Sequence, residues 1–110
     1  MLNRGAVIVG PRQPYIDWAL SLDDSGMAPD PDGEKTVYLI PIYDNDIEAL
    51  EVLSQCYDFI FEEELGAWHT DEARWPRNRT FKMFREWFDY SFCAVINDMC
   101  DYELADDDDF

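Results

Sequence analysis

The fold is decided by residues 36–65, TVYLIPIYDNDIEALEVLSQCYDFIFEEEL, in which a strand pattern passes directly into a helix pattern. Residues 36–43 are all β-formers apart from Pro41. Because proline has no backbone N–H to donate, a strand that contains one belongs at a sheet edge or at a bulge. We therefore predict an edge strand. The sequence leaves the oligomeric state open, including a dimer that pairs through this edge.

The helix that follows is marked at both ends. Asn45 and Glu48 have the spacing of a capping box, which satisfies free backbone N–H groups of the first turn. Apolar residues then recur three and four positions apart, the period of an amphipathic helix. The pattern predicts a helix over about 46–65 that ends near Gly66, since glycine is common just past a helix C-terminus.

The residues before this segment predict a strand, a short helix and a loop. Residues 4–9, RGAVIV, form an apolar run that suits a buried strand stopped by Gly10-Pro11. Pro14 fits the first turn of a helix, and the apolar residues after it keep helical spacing. Residues 23–35 have no apolar period and contain two prolines and two glycines, which is typical of a loop.

The residues after it predict an aromatic loop, a helix and a strand. Pro76 forbids a continuous helix over 68–79, so this stretch is predicted to be an ordered loop. Thr80 can cap a helix that buries the aromatic residues following it. Residues 91–100 fit either a helical continuation or a strand, and we choose the strand because the segment alternates and contains a β-branched pair.

The predicted element order is β-α-β-α-α-β. It indicates an α+β (or small α/β) fold, with a two-layer, three-stranded sheet packed by about three helices. Helical crossovers between strands favour a sheet that is largely parallel or mixed. Since 110 residues suit one core, we assign a single compact domain to residues 1–101 and an acidic flexible tail to residues 102–110.

The charge of the chain limits its partners. It has 25 acidic and 8 basic residues, a formal net charge of -17. Such a field repels nucleic acids and anionic membranes, so we expect a basic protein partner, no direct nucleic-acid binding and no membrane association. The N-terminal apolar run is too short for a signal or a membrane span, and three cysteines without CxxC spacing suggest reduced core thiols. Both features indicate a cytoplasmic location.

Motifs for catalysis and metal binding are scarce. His69 is the only histidine in the sequence, and no G-x-S-x-G or P-loop pattern occurs. The acids lack calcium-loop spacing and the cysteines lack zinc spacing, so we expect no metal and no cofactor. Asp17 and Asp89 are the acids embedded among large apolar residues, and either could serve a small carboxylate-dependent hydrolase. A solvent-facing or cap-forming carboxylate is the favoured interpretation of both. A protein that is not an enzyme is the favoured interpretation.

One group of candidate binding residues is acidic. Glu48, Glu51, Asp58 and Glu62 share one stripe of the predicted helix, which Gln55 interrupts. Their axial separations of about 4.5–6 Å are close to the spacing of phosphates in DNA. A nucleic-acid mimic that inhibits a DNA- or RNA-binding protein is therefore an alternative function. The solvated face of an amphipathic helix is the simpler explanation of the same stripe.

A second group of candidates is basic and aromatic. Residues 74–85 contain five of the eight basic residues. Trp75, Arg77 and Arg79 could contact a phosphate or a partner's carboxylate, although pairing with the chain's own acids is favoured. Arg12 lies between the first strand and the first helix, where α/β folds often present binding groups.

Three segments resemble a family of small acidic bacterial proteins without a characterised activity. They are AVIVGPRQPYIDWALSLDD, TVYLIPIYDND and GAWHTDEARWPRNRTFKMFREWFDY, within residues 4–98. The resemblance implies a compact cytosolic bacterial domain and brings no catalytic residue with it. The first hypothesis for function is therefore a non-enzymatic interaction domain that binds a basic protein partner, followed by the nucleic-acid mimic and then the hydrolase.

Overall fold

A three-stranded sheet packs beneath three helices in the computed structural model, which describes residues 1–106. The strands are β1 (Gly5–Pro11), β2 (Thr36–Ile40) and β3 (Phe88–Cys93), and the helices are α1 (Gln13–Ser21), α2 (Asp46–Trp68) and α3 (Phe81–Trp87). The predicted element order and the α+β class are confirmed. Within residues 1–106, none of the helices has both the length and the apolar character needed to cross a membrane.

The sheet is antiparallel throughout, with the strand order β2-β1-β3. The prediction of a largely parallel or mixed sheet is wrong. Strands β2 and β3 do share one direction, as strands joined by a helical crossover usually do, but β1 lies between them and runs the opposite way. Strand β2 is at an edge, as Pro41 indicates, and it ends at Ile40, immediately before that proline.

Alternate residues of the sheet point towards the helices and form the core. Val7 and Val9 of β1 are fully buried there, next to Tyr38 of β2 and to Tyr90 and Phe92 of β3. The helical layer contributes the fully buried side chains of Leu53, Phe61, Leu65 and Phe84. Burial of each such side chain stabilises the fold by about 1.5–3 kcal/mol.

The other face of the sheet is open. Val37 and Leu39 of β2 are 59% and 49% exposed. They pair with Ile8 and Ala6 of β1 on the side of the sheet away from the helices. The sheet therefore has one buried face and one face in contact with solvent, as antiparallel sheets commonly do.

Helix α2 is capped as predicted but is longer than predicted. The Asn45 side chain accepts a hydrogen bond from the Glu48 N–H at 2.9 Å, and the Glu48 carboxylate accepts one from the Asp44 N–H at 2.7 Å. The predicted end near Gly66 is wrong, because the helix continues to Trp68. Trp68 packs against the core, and its burial outweighs the roughly 1 kcal/mol that a glycine costs inside a helix.

Strand β3 starts earlier and ends earlier than the strand predicted over 91–100. Helix α3 passes into it with no loop, so that Phe88 is already in the strand, and Cys93 is its last residue. The alternation that sets its register is that of Phe88, Tyr90 and Phe92, which face the core. The sequence prediction used the alternation and β-branched pair after this point, where the chain contains no regular element.

The two termini also differ from the prediction in detail. Strand β1 continues to Pro11 instead of stopping at Gly10-Pro11, because Pro11 still pairs with Phe88. Residues 94–106 form no helix or strand, and the Leu2 N–H donates to the carbonyl of one of them, Ile96, at 2.7 Å. Of the predicted tail, residues 102–106 are exposed, and residues 107–110 lie outside the described residues.

All three cysteines are free thiols. Cys56 is half-buried, whereas Cys93 and Cys100 are exposed, so the expectation that all three belong to the core is wrong. Cys93 is the last residue of β3, which is an edge strand, and it lies on the face of the sheet away from the helices.

Candidate functional site

A groove lies between the segment that follows β2 and the first half of α2, with a volume of about 270 Å³. We call it the acidic groove, and it is lined by Ile42, Tyr43, Asp44, Glu48, Glu51, Val52 and Gln55. All the charged residues in this set are acids. The groove therefore combines three carboxylates with the aliphatic surface of Ile42 and Val52.

Tyr43 fixes one wall of the acidic groove. Its side chain is 6% exposed, and its hydroxyl donates to the Ala6 carbonyl at 3.0 Å. The ring lies against Gly5, where a Cβ atom would collide with it, so this packing requires glycine at that position. Burial raises the pKa of Tyr43, which keeps the hydroxyl protonated as a hydrogen-bond donor.

The carboxylates of the acidic groove have no basic partner within the described part of the chain. None of the ion pairs there involves Asp44, Glu48 or Glu51. Glu48 is held at the N-terminus of α2 by its bond from the Asp44 N–H, where the helix dipole stabilises negative charge. Glu51 is exposed one turn later, and Ile47 beside this turn is 80% exposed. Uncompensated charge and exposed aliphatic surface therefore lie side by side.

The second half of the predicted acidic stripe is neutralised by Arg79. Its guanidinium contacts the Asp58 carboxylate at 2.8 Å and the Glu62 carboxylate at 2.7 Å. The Arg79 side chain is only 16% exposed, lies 5.8 Å above the Phe61 ring and donates to the Pro76 carbonyl at 3.0 Å. Arg79 therefore connects the loop before α3 to α2, and the stripe is divided into an unpaired half and a paired half.

Trp75 and Arg77 do not join either half of the stripe. The Trp75 indole N–H donates to the His69 carbonyl at 2.8 Å, and its ring packs against Gly66 of α2. Arg77 is exposed, and its side chain forms no hydrogen bond or ion pair in the region 1–106. The structure therefore does not bring Trp75, Arg77 and Arg79 together as one binding surface.

Arg12 contributes to a different cleft, with a volume of about 690 Å³, at the junction of α3 and β3. Its guanidinium donates to the Arg85 carbonyl at 2.8 Å, and its backbone N–H donates to the Trp87 carbonyl at 2.8 Å. We call this the basic cleft, and its charged lining consists of Arg12, Lys82, Arg85, Glu86 and Asp89. Sequence analysis did not connect Arg12 with Lys82 and Arg85. The available signal was the separation of three residues between Lys82 and Arg85 on a predicted helix, which places these two side chains on one face.

Glu64 is a half-buried carboxylate that sequence analysis missed. It accepts hydrogen bonds from the Tyr38 hydroxyl at 2.9 Å and from the Thr36 hydroxyl at 3.2 Å, while its backbone carbonyl accepts from Tyr15 at 2.5 Å. Burial raises the pKa of Glu64, and the hydrogen bonds from Tyr38 and Thr36 oppose that shift. With Glu34, it lines a small pocket of about 140 Å³.

The two acids that the sequence singled out as candidates for catalysis are exposed, as the favoured interpretation of both expects. Asp17 accepts a hydrogen bond from Gln13 at 2.8 Å on the outer face of α1. Asp89 is 70% exposed and lies 3.7 Å from the Lys35 ammonium group. Neither is in an apolar pocket, so neither has the surroundings that the hydrolase hypothesis assumed for it.

Across residues 1–106, no group of three or more His, Cys, Asp or Glu side chains is placed to hold a metal ion. Comparison of the chain with models of protein families, with curated proteins and with solved structures finds no match. Function is therefore inferred from the chemistry of the acidic groove and the basic cleft.

Proposed function

We propose that the protein is a non-enzymatic interaction domain whose acidic groove binds a lysine or arginine side chain of a basic protein partner. The observation that carries the proposal is the set of three carboxylates, Asp44, Glu48 and Glu51, without a basic partner among the described residues. A chain with 8 basic residues leaves most of its acids unpaired, but here three of them line a groove.

The chemistry of the acidic groove suits a long cationic side chain. Lysine and arginine bury their methylene stems along apolar surface while the charged group stays near water or a carboxylate. Ile42 and Val52 offer that apolar surface, and Glu48 and Glu51 offer acceptors one turn apart. The net charge of -17 would also speed the approach of a basic partner, an effect that weakens as salt rises.

The paired half of the stripe favours this function over the nucleic-acid mimic. A mimic needs a long row of negative charges that replaces the phosphates lining a DNA-binding groove. Arg79 already engages Asp58 and Glu62, so the unpaired row is confined to the start of α2. A short row is better matched to one or two basic side chains.

The test is a titration with a fluorescent peptide of alternating lysine and glycine residues, followed by anisotropy. We expect the double variant Glu48→Gln/Glu51→Gln to bind about fivefold to tenfold more weakly, as expected from the loss of two partly exposed ion pairs. The control is Asp24→Asn/Asp32→Asn, which removes the same charge from the exposed loop between α1 and β2. We expect the control to change affinity by less than about twofold.

Equal losses in the two double variants would show that overall charge, not the acidic groove, attracts the peptide, and the proposal would fail. Once a natural partner is recovered from lysate, competition with duplex DNA separates the two acidic hypotheses. Displacement of the protein by DNA would favour the mimic. The interaction domain would be supported if DNA did not displace the protein from the partner and binding still depended on Glu48 and Glu51.

A further inference from the structure

The basic cleft holds positive charge that the chain's own acids do not neutralise. Arg12, Lys82 and Arg85 line it, and none of them takes part in an ion pair within residues 1–106. Arg79 shows the opposite behaviour, since it contacts two carboxylates. What distinguishes the cleft is that three such cations lie together in a chain with 25 acidic residues.

The two guanidinium groups are held in place before any ligand arrives. Arg12 is the N-cap residue of α1, and its Nη1 donates to the Arg85 carbonyl at the C-terminal end of α3, where the helix dipole favours a cation. The Arg85 guanidinium lies 5.7 Å from the centre of the Phe81 ring, a cation–π contact. Lys82 precedes Arg85 by three residues, so both lie on one face of α3.

The two acids of the basic cleft do not cancel its charge. Asp89 lies 3.7 Å from the Lys35 ammonium, outside the set of three cations. Glu86 remains as the carboxylate without a basic partner in the described chain. Three cations therefore face one free carboxylate. This makes the basic cleft a local positive region on a surface that otherwise repels anions.

The lining indicates the kind of anion. Arginine pairs geometrically with phosphate through parallel N–H donors, and a phosphate monoester carries nearly two negative charges at neutral pH. Phe81 and Tyr90 are half-buried aromatic side chains that line the same cleft, and the exposed parts of their rings provide apolar surface against which a planar ring can pack. Glu86 and Asp89 can accept hydrogen bonds from ligand hydroxyl or amino groups. A volume of about 690 Å³ suits a small ligand.

We infer that the basic cleft is a binding site for a small phosphate monoester that carries a planar ring, of the nucleoside monophosphate class. Arg12 and Arg85 bind the phosphate with Lys82, while Phe81 and Tyr90 contact the ring. This site is separate from the acidic groove, so it stands whether or not the groove binds a basic partner.

The test is isothermal titration calorimetry of the full chain with adenosine monophosphate, inorganic phosphate and adenosine. We expect the monophosphate to bind with a dissociation constant on the order of 0.1–1 mM, inorganic phosphate to bind more weakly, and adenosine alone to show no saturable binding. Arg85→Gln and Lys82→Gln should each weaken monophosphate binding by about tenfold, the usual effect of losing one charge-assisted hydrogen bond. Arg77→Gln removes the same charge from an exposed position and should leave binding unchanged.

Several results would overturn this inference. They are the absence of saturable binding of the monophosphate up to about 10 mM, an equal loss in the Arg77→Gln control, and equally tight binding of adenosine. The Lys82 side chain has no hydrogen bond or ion pair within residues 1–106, so Lys82→Gln keeps the test valid if an arginine variant misfolds. Self-association that phosphate disrupts would identify the carboxylates of a second copy as the natural occupant, and would also contradict the inference.

Discussion

At the scale of single residues, Glu64 shows how one side chain joins the two layers. Its carboxylate accepts from two hydroxyl groups of β2, and its backbone carbonyl accepts from Tyr15 of α1. It stands in the run Glu62-Glu63-Glu64, which resembles a solvated helix face. Its separation of three residues from Phe61 was the signal that places it on the buried side of α2.

The pKa of Glu64 predicts a dependence of stability on pH. Burial raises that pKa above the unfolded value near 4.5, so the folded state holds the proton more tightly than the unfolded state. The contribution to stability is present below the unfolded pKa, and the free energy of unfolding falls as pH rises through the folded pKa. We expect Glu64→Gln to remove the part of this decrease in the free energy of unfolding that Glu64 causes. Urea unfolding at a series of pH values measures it.

The control is Glu63→Gln, which removes the same charge from an exposed neighbour on the same helix. We expect Glu63→Gln to change the free energy of unfolding by a constant amount at all pH values well above the ordinary carboxylate range. If Glu63→Gln and Glu64→Gln changed the slope equally, burial of Glu64 would not be the cause.

At the scale of elements, the sequence predicts where strands and helices lie better than how they are arranged. The caps Asn45 and Thr80 are visible as residue types at the right spacing, and both accept the expected backbone hydrogen bond. The central position of β1 is less visible in the sequence, although the first three residues of the strand are buried in the structure. Local patterns do not specify which strand lies between the other two, so the prediction of a largely parallel or mixed sheet was wrong.

The candidate sites follow the same division. The unpaired acids of the acidic groove come from one turn and one helix, so their proximity can be predicted from spacing. The pairing of Arg79 with Asp58 and Glu62 depends on the path of the loop before α3, which no short-range pattern specifies. The basic cleft joins Arg12 to α3 across 73 sequence positions.

Helix α2 provides a prediction about its own interior. Gly66 is helical, and a Cβ atom there would lie 3.4 Å from Cζ2 of Trp75, an ordinary van der Waals contact. Since alanine is about 1 kcal/mol more favourable than glycine inside a helix, Gly66→Ala should stabilise the protein by roughly 0.5–1 kcal/mol in urea unfolding. Gly66→Leu, which adds a larger side chain at the Trp75 ring, should instead destabilise it. Loss of stability in the alanine variant would mean that Trp75 cannot tolerate even one added methyl group.

At the scale of the whole molecule, the net charge opposes folding. Mutual repulsion among 25 acidic residues is relieved only in part by the three ion pairs found in residues 1–106. Aromatic burial balances this cost, as Phe61, Phe84 and Phe88 are in mutual ring contact at 5.0–6.1 Å. The fold therefore combines a cohesive core with a self-repelling surface.

Sodium chloride should accordingly stabilise the protein. Raising its concentration from about 0.02 to 0.5 M shortens the Debye length severalfold, and we expect the midpoint of thermal unfolding to rise by roughly 5 °C. Scanning calorimetry at neutral pH measures the shift. The same increase in salt at a pH near 4.5, where many carboxylates are protonated, should have a smaller effect. A fall in the midpoint at neutral pH would mean that attractive ion pairs dominate the electrostatic energy.

The direct passage from α3 into β3 has a consequence for how the basic cleft opens and closes. Lys82 and Arg85 stand on a helix that is covalently continuous with a strand hydrogen-bonded to β1, so there is no hinge between them. Amide hydrogens on both sides of the junction should then exchange with deuterated solvent as one cooperative unit. A ligand entering there would meet a rigid receptor, and its association rate would be governed by diffusion and charge instead of by a slow conformational step.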